Sequence, residues 1–109
     1  MTDIDTITLK LKEFRDARDW GQFHNPKDLA LAINVEAGEL LELFLWKDAG
    51  DAKIERVKEE LADIFSFAFL LAEKYGLDVK GIILEKIASN EKRYPVEKSK
   101  GNAKKYNEL

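Results

Sequence analysis

Cysteine is absent from the 109 residues, and proline, glycine and histidine are scarce: the chain has two Pro, six Gly and one His. Without cysteine there are no disulfides, no Cys-based zinc sites and no thiol nucleophile. The single histidine, His24, does not stand in a Glu-x-x-His spacing, which excludes the ligand set of a ferritin-like diiron protein. With 45% hydrophobic and 36% charged residues, the composition favours a helix-rich globular protein with one domain over residues 1–109.

Long apolar runs are also absent. Glu or Asp interrupts the most apolar stretches well before the roughly twenty residues that are needed to span a bilayer. The N-terminal segment MTDIDTITLKLKEF has neither the basic start nor the unbroken apolar run of a signal peptide. We therefore expect no membrane segment and no export, and the lack of cysteine fits a cytoplasmic location.

Apolar spacing and turn residues predict four helices and no strand. The expected bounds are about Asp3 to Arg18, Pro26 to Trp46, Ala52 to Tyr75 and Asp78 to Arg93. Asn25 before Pro26 is typical of a helix start, Gly76 of a helix end, and Asp78 of the next N-cap. The first helix is predicted from the apolar positions Ile4, Ile7, Leu11, Phe14 and Ala17. The predicted fold is an all-α four-helix bundle, with residues 96–109 as a basic, flexible tail.

The second and third predicted helices are apolar almost all round. Of the eighteen residues from Leu29 to Trp46, thirteen are apolar, and of the twelve from Leu61 to Ala72, ten are. A helix of this kind has no face suited to water. In so short a chain neighbouring helices cannot cover both, and we therefore expect a homo-oligomer.

Two acidic pairs interrupt these apolar helices. Glu36 and Glu39 stand three residues apart on the second helix, and Glu60 and Asp63 on the third, so each pair projects from one helix face. Two such pairs could converge on an oxygen-rich cage of the kind that Mg²⁺ or Mn²⁺ requires. The same spacing occurs at Glu13/Asp16, Asp16/Asp19, Glu39/Glu42 and Asp48/Asp51. Spacing alone therefore fits equally well with carboxylates that are solvated or paired with Lys or Arg.

Three runs of the sequence carry a family resemblance: RDWGQFHNPKDLALAINVEAGELLELFLWK, EELADIFSFAFLLAEKYGLD and SNEKRYP. They resemble the MazG-like all-α nucleotide pyrophosphohydrolases, and most of all their dCTP pyrophosphatase branch, over about residues 11–109. The resemblance implies Mg²⁺-dependent hydrolysis of nucleoside triphosphates, dCTP or other dNTPs including modified ones, to the monophosphate and pyrophosphate. It further implies a housekeeping role in the nucleotide pool and a homo-oligomer, either a dimer or a tetramer.

By the same resemblance, Glu36, Glu39, Glu60 and Asp63 are the metal ligands and catalytic residues, with Mn²⁺ as a possible substitute for Mg²⁺. Metal ions in this role neutralise the triphosphate, orient it and lower the pKa of a bound water. One of these four carboxylates, or the neighbouring Glu42, takes the proton of that water. Which one does so stays open, as does the phosphorus that is attacked.

The resemblance also implies a set of substrate-binding residues. The base would be bound by Trp20, Gly21, Gln22, Phe23, His24 and Trp46, through ring stacking and hydrogen bonds to its edge. The sugar and phosphates would be bound by Phe67, Lys86, Asn90 and Arg93. Without the resemblance, the two tryptophans fit core or interface packing, His24 fits a loop hydrogen bond, and the basic residues of the fourth helix fit a solvated face.

The sequence departs from the family pattern at two positions. Phe67 stands where some relatives have Tyr, so a hydroxyl contact to the sugar is not predicted, although an apolar floor would still disfavour a 2′-hydroxyl. Leu11 stands where some dCTP-preferring relatives have His. Strict selectivity for cytosine is therefore not predicted.

Two other functions fit parts of the pattern. A non-catalytic helical oligomer or interaction module would use its carboxylates only to balance lysines at an interface. Nucleic-acid binding would use the stretch from Lys86 to Lys105, where seven basic and two acidic residues give a net charge of +5 in a chain of net charge -3. That stretch lacks interleaved aromatics and the rest of the chain is acidic, so we expect no nucleic-acid partner.

Overall fold

The computed structural model describes residues Met1–Leu109 and is helical throughout, without a β-strand. The α-helices are α1 (Asp3–Ala17), α2 (Pro26–Glu42), α3 (Ile54–Lys74), α4 (Val79–Arg93) and the single turn α5 (Val96–Ser99). Short 3-10 turns lie at Trp20–Phe23, Ala49–Asp51 and Tyr106–Glu108. The prediction of an all-α fold is confirmed. None of the helices has both the length and the apolar character that crossing a bilayer demands.

Local capping chemistry fixes the starts of α2 and α4 where the sequence predicts them. The side-chain oxygen of Asn25 accepts a hydrogen bond from the Asp28 amide at 2.8 Å, and Pro26 occupies the first helical position. At α4, a carboxylate oxygen of Asp78 accepts from the Gly81 amide at 2.9 Å. Each cap satisfies an amide that has no partner inside the helix.

The α3–α4 connection turns at Gly76, as expected. Its φ of +66° lies in the left-handed region that glycine adopts without steric cost. The Gly76 amide donates to the Glu73 carbonyl at 3.0 Å, and the Leu77 amide donates to the Ala72 carbonyl at 2.9 Å. These bonds satisfy the last carbonyls of α3 and end the helix.

The end of α2 differs from the prediction. The α-helix stops at Glu42, and the chain continues to Lys47 through tighter turns rather than as a helix up to Trp46. In these turns the Leu45 amide donates to the Glu42 carbonyl and the Lys47 amide to the Phe44 carbonyl, both at 3.1 Å. Trp46 itself has a φ of +59°. A left-handed residue cannot continue a right-handed helix, and apolar spacing does not reveal this change.

The chain divides into two compact units, Met1–Leu77 and Asp78–Leu109. In the first unit α1 and α2 both pack against α3. Leu29 on α2 and Leu70 on α3 are buried there, with exposed fractions of 1% and 5%. The first unit is thus a three-helix assembly centred on α3. The association of all four predicted helices in one bundle stays a prediction.

In the second unit the tail packs against the end of α4. The Tyr106 ring meets the Tyr94 ring edge to face, with the ring centres 6.3 Å apart. The Arg93 guanidinium lies 4.9 Å from the centre of the Tyr106 ring. α5, which lies within the predicted tail, is one helical turn directly after Pro95. The flexibility of residues 96–109 stays a prediction.

Candidate functional site

Three carboxylates from α2 and α3 converge in the first unit. Glu36, Glu60 and Asp63 each place one carboxylate oxygen within 4.8 Å of the other two. Glu60 and Asp63 share one face of α3 because they are three residues apart, and the packing of α2 on α3 brings Glu36 to them. The structure thus brings together three of the four predicted ligands, which we call the carboxylate cluster. Glu39 is exposed and lies outside it.

Two oxygens of the carboxylate cluster are buried without any hydrogen-bond donor. They are Oε2 of Glu36 and Oε2 of Glu60. Glu60 has an exposed fraction of 6%, and its other oxygen lies 3.7 Å from the Arg56 guanidinium. An ionised carboxylate can only accept hydrogen bonds, so neither Oε2 can satisfy the other. Burial of such oxygens is costly unless a proton or a cation compensates them.

The environment of Glu36 shows this cost. Burial raises the pKa of Glu36 from 4.5 to about 7, and hydrogen bonding to the Glu60 and Glu39 carboxyls and the charges of Glu39 and Asp63 add to the rise. All of these causes favour the protonated form. In the absence of a cation, the carboxylate cluster therefore retains a proton up to near-neutral pH.

The donor set of the carboxylate cluster fits a hard divalent cation. All three ligand residues offer oxygen, and neither histidine nor cysteine belongs to the group. Oxygen ligands suit Mg²⁺ and Mn²⁺, whereas zinc sites usually include nitrogen or sulfur. A bound cation would also compensate the two buried oxygens that lack donors. The carboxylate cluster can therefore hold a divalent metal ion.

A cavity of about 380 Å³ adjoins the carboxylate cluster in the first unit. Its polar lining residues are Arg15, His24, Asp63 and Ser66. Its apolar lining residues are Leu11, Phe14, Trp20, Phe67 and Leu70. Asp63 belongs both to the cavity wall and to the carboxylate cluster. A ligand in the cavity would therefore extend directly to the carboxylate cluster.

Aromatic side chains form much of the cavity wall. The Trp20 and Phe14 rings meet edge to face with centres 5.8 Å apart, and His24 and Phe67 do so at 6.4 Å. Trp20 retains an exposed fraction of 45%, so it is not a core residue in this chain. Rings arranged in this way offer flat apolar surfaces to a planar ligand. Trp20, His24 and Phe67 are thus the predicted base and sugar residues that the cavity brings together.

His24 contributes an unsatisfied polar atom to this wall. Its Nδ1 is buried and has no hydrogen-bond partner. Burial, followed by the positive charges of Arg15 and Lys74, lowers the pKa of His24 below its usual 6.5. The imidazole is therefore neutral at pH 7, with one nitrogen that donates and one that accepts.

Arg15 lines the cavity but is not among the site residues predicted from the sequence. It is 8% exposed, its Nε donates to the Asp16 carboxylate at 2.8 Å, and its Nη1 donates to the Glu73 carboxylate at 3.4 Å. Lys12 also approaches Glu73, at 3.5 Å. This network of two cations and two carboxylates links α1 to α3 and fixes the guanidinium at the cavity wall.

The apolar positions from which α1 is predicted do not all lie on its less exposed face. Ile7 and Phe14, two of the apolar positions used in the prediction, are 45% and 50% exposed. Leu11, another of these positions, lies on the less exposed face with Arg15, which is four residues further on and therefore its neighbour on the helix surface. A charged residue on the same helix face as Leu11 is the pattern that could have identified Arg15.

The remaining residues of the predicted base pocket lie outside the cavity wall. Gly21 packs beside Arg15, since a Cβ placed on it would lie 3.7 Å from the Arg15 Nε. The Gln22 amide nitrogen donates to the Asp19 carbonyl and carboxylate at 3.0 and 3.1 Å. Phe23 and Trp46 are 61% and 93% exposed. Substrate binding by these four residues stays a prediction.

The predicted phosphate-binding residues Lys86, Asn90 and Arg93 lie on α4, in the second unit. Lys86 and Arg93 are exposed, and Arg93 stacks on Tyr106. The Asn90 carbonyl accepts from the Tyr94 amide at 2.8 Å and helps to end α4. Their role at a triphosphate also stays a prediction.

Comparison with known proteins finds similar sequences from several mammals that all carry the same description. The chain is 42% identical to dCTP pyrophosphatase 1 of Bos taurus and 39% identical to that of Homo sapiens, in each case over 105 residues. The same protein of Rattus norvegicus is 38% identical. Each alignment covers 89% of this chain and 62% of the relative. The chain thus spans less than two thirds of the length of these curated relatives.

A solved structure shares the fold. The crystal structure of a pyrophosphatase from Archaeoglobus fulgidus matches with a TM-score of 0.79 and 32% identity, over 87% of this chain and 94% of that chain. The model of the MazG-like family matches residues 31–109, a range that includes all three members of the carboxylate cluster. This range is well over half of the sequence. The chain therefore belongs to the MazG-like family.

Proposed function

We propose that the chain is a nucleoside triphosphate pyrophosphohydrolase. Its substrate is dCTP or another dNTP, canonical or modified, and its products are the monophosphate and pyrophosphate. The reaction uses Mg²⁺, which Mn²⁺ can replace, and serves to clear the nucleotide pool. Family membership and the description of its relatives as dCTP pyrophosphatase 1 support this activity. The cytoplasmic location expected from the sequence stays a prediction.

The observation that carries the proposal is the position of Asp63. This residue belongs at once to a carboxylate cluster suited to a cation and to a cavity with aromatic walls. A ligand for both parts must join a polyanion, which a cation can bind, to a planar apolar group, which the rings can accept. A nucleoside triphosphate has this composition.

The carboxylates of the chain have separate tasks in this proposal. Glu36, Glu60 and Asp63 hold the cation, and Glu39, which is exposed but influences the pKa of Glu36, is the fourth predicted ligand. When bound, Mg²⁺ would neutralise triphosphate charge and activate water for attack. The Arg56 guanidinium, 3.7 Å from Glu60, orients that carboxylate. One water is added across the bond between the α- and β-phosphoryl groups, so that monophosphate and pyrophosphate are released together.

The cavity residues bind and orient the nucleoside. Phe67 is one turn after Asp63 on the same face of α3. In this proposal it lies beneath the sugar of a nucleotide whose phosphates are at the cluster. Trp20 and Phe14 supply flat surfaces for the base. Because Phe67 has no hydroxyl, the sugar meets an apolar surface, and this surface favours deoxyribose over ribose.

We include a homo-oligomer, a dimer or tetramer, in the proposal. Large apolar side chains in the second half of α2 and in the turns after it are exposed: Val35 at 57%, Leu41 at 72%, Leu45 at 55% and Trp46 at 93%. Several large apolar side chains exposed in this way are typical of a protein that has an interface with a partner. The same surface would also suit a non-catalytic helical oligomer, so activity is the measurement that separates the two functions.

The test is a panel of canonical and modified dNTPs and NTPs incubated with the purified chain and Mg²⁺. Release of pyrophosphate and monophosphate is expected, with loss of activity in Glu60→Gln and Asp63→Asn and retention in the surface control Glu55→Gln. Helical content by circular dichroism would confirm that each variant folds. Release of nucleoside diphosphate and phosphate would overturn the assigned reaction. If no triphosphate is hydrolysed, the enzymatic function is wrong and the non-catalytic oligomer is the function that fits.

A further inference from the structure

The cavity has two chemically different ends along α3. Asp63 marks the end at the carboxylate cluster, and Ser66, Phe67 and Leu70 follow on the same helix face. Arg15 is anchored by Glu73, which is ten residues beyond Asp63, or about 15 Å along a helix axis. If phosphates lie at the cluster, as the proposed function requires, the base lies at the end that Arg15 and Leu70 line.

Arg15 retains unused hydrogen-bond donors at this end. A guanidinium carries five N–H groups in a fixed planar fork. The ion pairs with Asp16 and Glu73 use Nε and Nη1, and neither uses Nη2. The two carboxylates therefore hold the plane of the group and leave at least three N–H bonds for another partner. Ser66, in contrast, donates its hydroxyl to the Ala62 carbonyl at 2.7 Å.

We propose, on the basis of the proposed function, that Arg15 is a specificity-determining residue that recognises a base with two adjacent acceptors, such as cytosine. The O2 and N3 atoms of cytosine are neighbouring acceptors and match the parallel donors of a guanidinium. In uracil and thymine, N3 carries a hydrogen and faces those donors unfavourably. A site that leaves buried donors unpaired rejects the wrong ligand strongly.

His24 supplies the complementary group. Its buried Nδ1 has no partner in the chain and lines the same cavity. Since the imidazole is neutral, one of its nitrogens can accept a hydrogen bond from the 4-amino group of cytosine. Uracil and thymine have a carbonyl at that position and offer no donor. Arg15 and His24 together thus present donors and an acceptor to one edge of the base.

This assignment differs from a purely structural role for Arg15. If Arg15 only links α1 to α3, its loss weakens all substrates alike or destabilises the fold. If it recognises the base, its loss affects cytosine nucleotides more than uracil nucleotides. The ratio of kcat/KM for dCTP to kcat/KM for dUTP is therefore the decisive quantity, because a general structural defect cancels in it.

The experiment measures this ratio in the full chain with Mg²⁺ for the wild type, Arg15→Met, Arg15→Lys and the exposed α1 control Lys10→Met. Arg15→Met is expected to lower the ratio about tenfold or more, because this is the discrimination between bases that one paired guanidinium contact provides. Arg15→Lys keeps the charge beside Glu73 but lacks the fork, so it folds and also lowers the ratio. Lys10→Met should leave it unchanged. An unchanged ratio in both Arg15 variants would overturn the proposal. If Arg15→Met does not fold, the ratio measured for Arg15→Lys alone tests the proposal.

Binding of dCMP and dUMP by calorimetry separates this proposal from the activity. A chain that hydrolyses no triphosphate can still prefer dCMP over dUMP, and loss of that preference in Arg15→Lys would support base recognition without catalysis. Equal affinity of the wild-type chain for the two monophosphates, together with equal kcat/KM for the two triphosphates, would overturn the role of Arg15 even if hydrolysis is confirmed.

Discussion

Glu36 on α2 and Glu60 on α3 each bury one carboxylate oxygen that accepts no hydrogen bond. Two ionised carboxylates in such a setting repel one another and are poorly solvated. Either a proton or a divalent cation can reduce this repulsion. Because the pKa of Glu36 is about 7, Glu36 can carry such a proton near neutral pH. Proton and cation therefore compete for the same oxygens, and this competition leads to measurable effects.

The first prediction concerns stability in the absence of metal. The contribution of Glu36 to the free energy of unfolding should decrease as pH rises from 4.5 to about 7. In this range the unfolded chain has lost the Glu36 proton while the folded chain retains it, so unfolding releases a proton and becomes easier as pH rises. Below pH 4.5 the contribution is fully present. Urea unfolding across this range, with a chelator present, measures it.

Glu36→Gln is the matched variant for this prediction. Glutamine has nearly the same volume, cannot ionise, and can donate its amide hydrogen to Glu60. His24 produces the opposite slope below pH 6.5, because its pKa is lowered in the folded chain. That contribution is present in both proteins, so the difference between their pH profiles isolates Glu36. Parallel profiles for the two proteins would contradict the prediction.

The second prediction concerns metal binding. Mg²⁺ or Mn²⁺ should raise the melting temperature, because the carboxylate cluster exists only in the folded chain. At a concentration about 100-fold above Kd the stabilisation is about 2.7 kcal/mol. Asp63→Asn should abolish the shift, whereas Glu55→Gln, which removes only an exposed carboxylate 3.5 Å from Lys58, should retain it. Thermal melts with and without the cation provide the measurement, and equal shifts in both variants would place the metal elsewhere.

The fold was predictable where local chemistry determines it. Asn25 and Asp78 are polar residues placed before apolar segments, and each caps the helix that follows. The end of α2 was not predictable, because the hydrogen bonding tightens after Glu42 and Trp46 takes a left-handed backbone, and neither change follows from residue type. Apolar spacing continues through that turn and gives no indication that the hydrogen bonding changes.

The site was predictable only in part for a similar reason. Six acidic pairs share one spacing, and only the packing of α2 on α3 determines that Glu36 meets Glu60 and Asp63. Arg15 was missed because its partner Glu73 is 58 residues away. The position of Arg15 four residues after Leu11 places it on the less exposed face of α1, but spacing does not reveal which distant residue it pairs with. The resemblance to a family predicted the carboxylates, whereas the position of Arg15 at the cavity wall follows only from the structure.

The third prediction concerns assembly. Leu41, which is 72% exposed near the end of α2, should lie in a subunit interface. Leu41→Lys would place a charge in that interface and should reduce the mass measured by light scattering from two or four chains toward one. Val96→Lys is the control, since Val96 is as exposed, at 73%, but lies on α5 in the second unit. A wild-type chain that is monomeric at all concentrations would contradict the prediction.

The last prediction compares two glycines in opposite backbone settings. Gly76→Ala should destabilise the chain by about 1–2 kcal/mol, because φ at this position is +66° and a Cβ is strained in the left-handed region. Gly38→Ala should stabilise it by up to about 1 kcal/mol, because Gly38 lies inside α2 and a Cβ there meets nothing within 4 Å. Both substitutions add one methyl group, so size alone predicts the same sign for each. Urea unfolding of the two variants therefore separates backbone conformation from added volume, and a loss of stability in Gly38→Ala would show that its surroundings are more crowded than the isolated chain indicates.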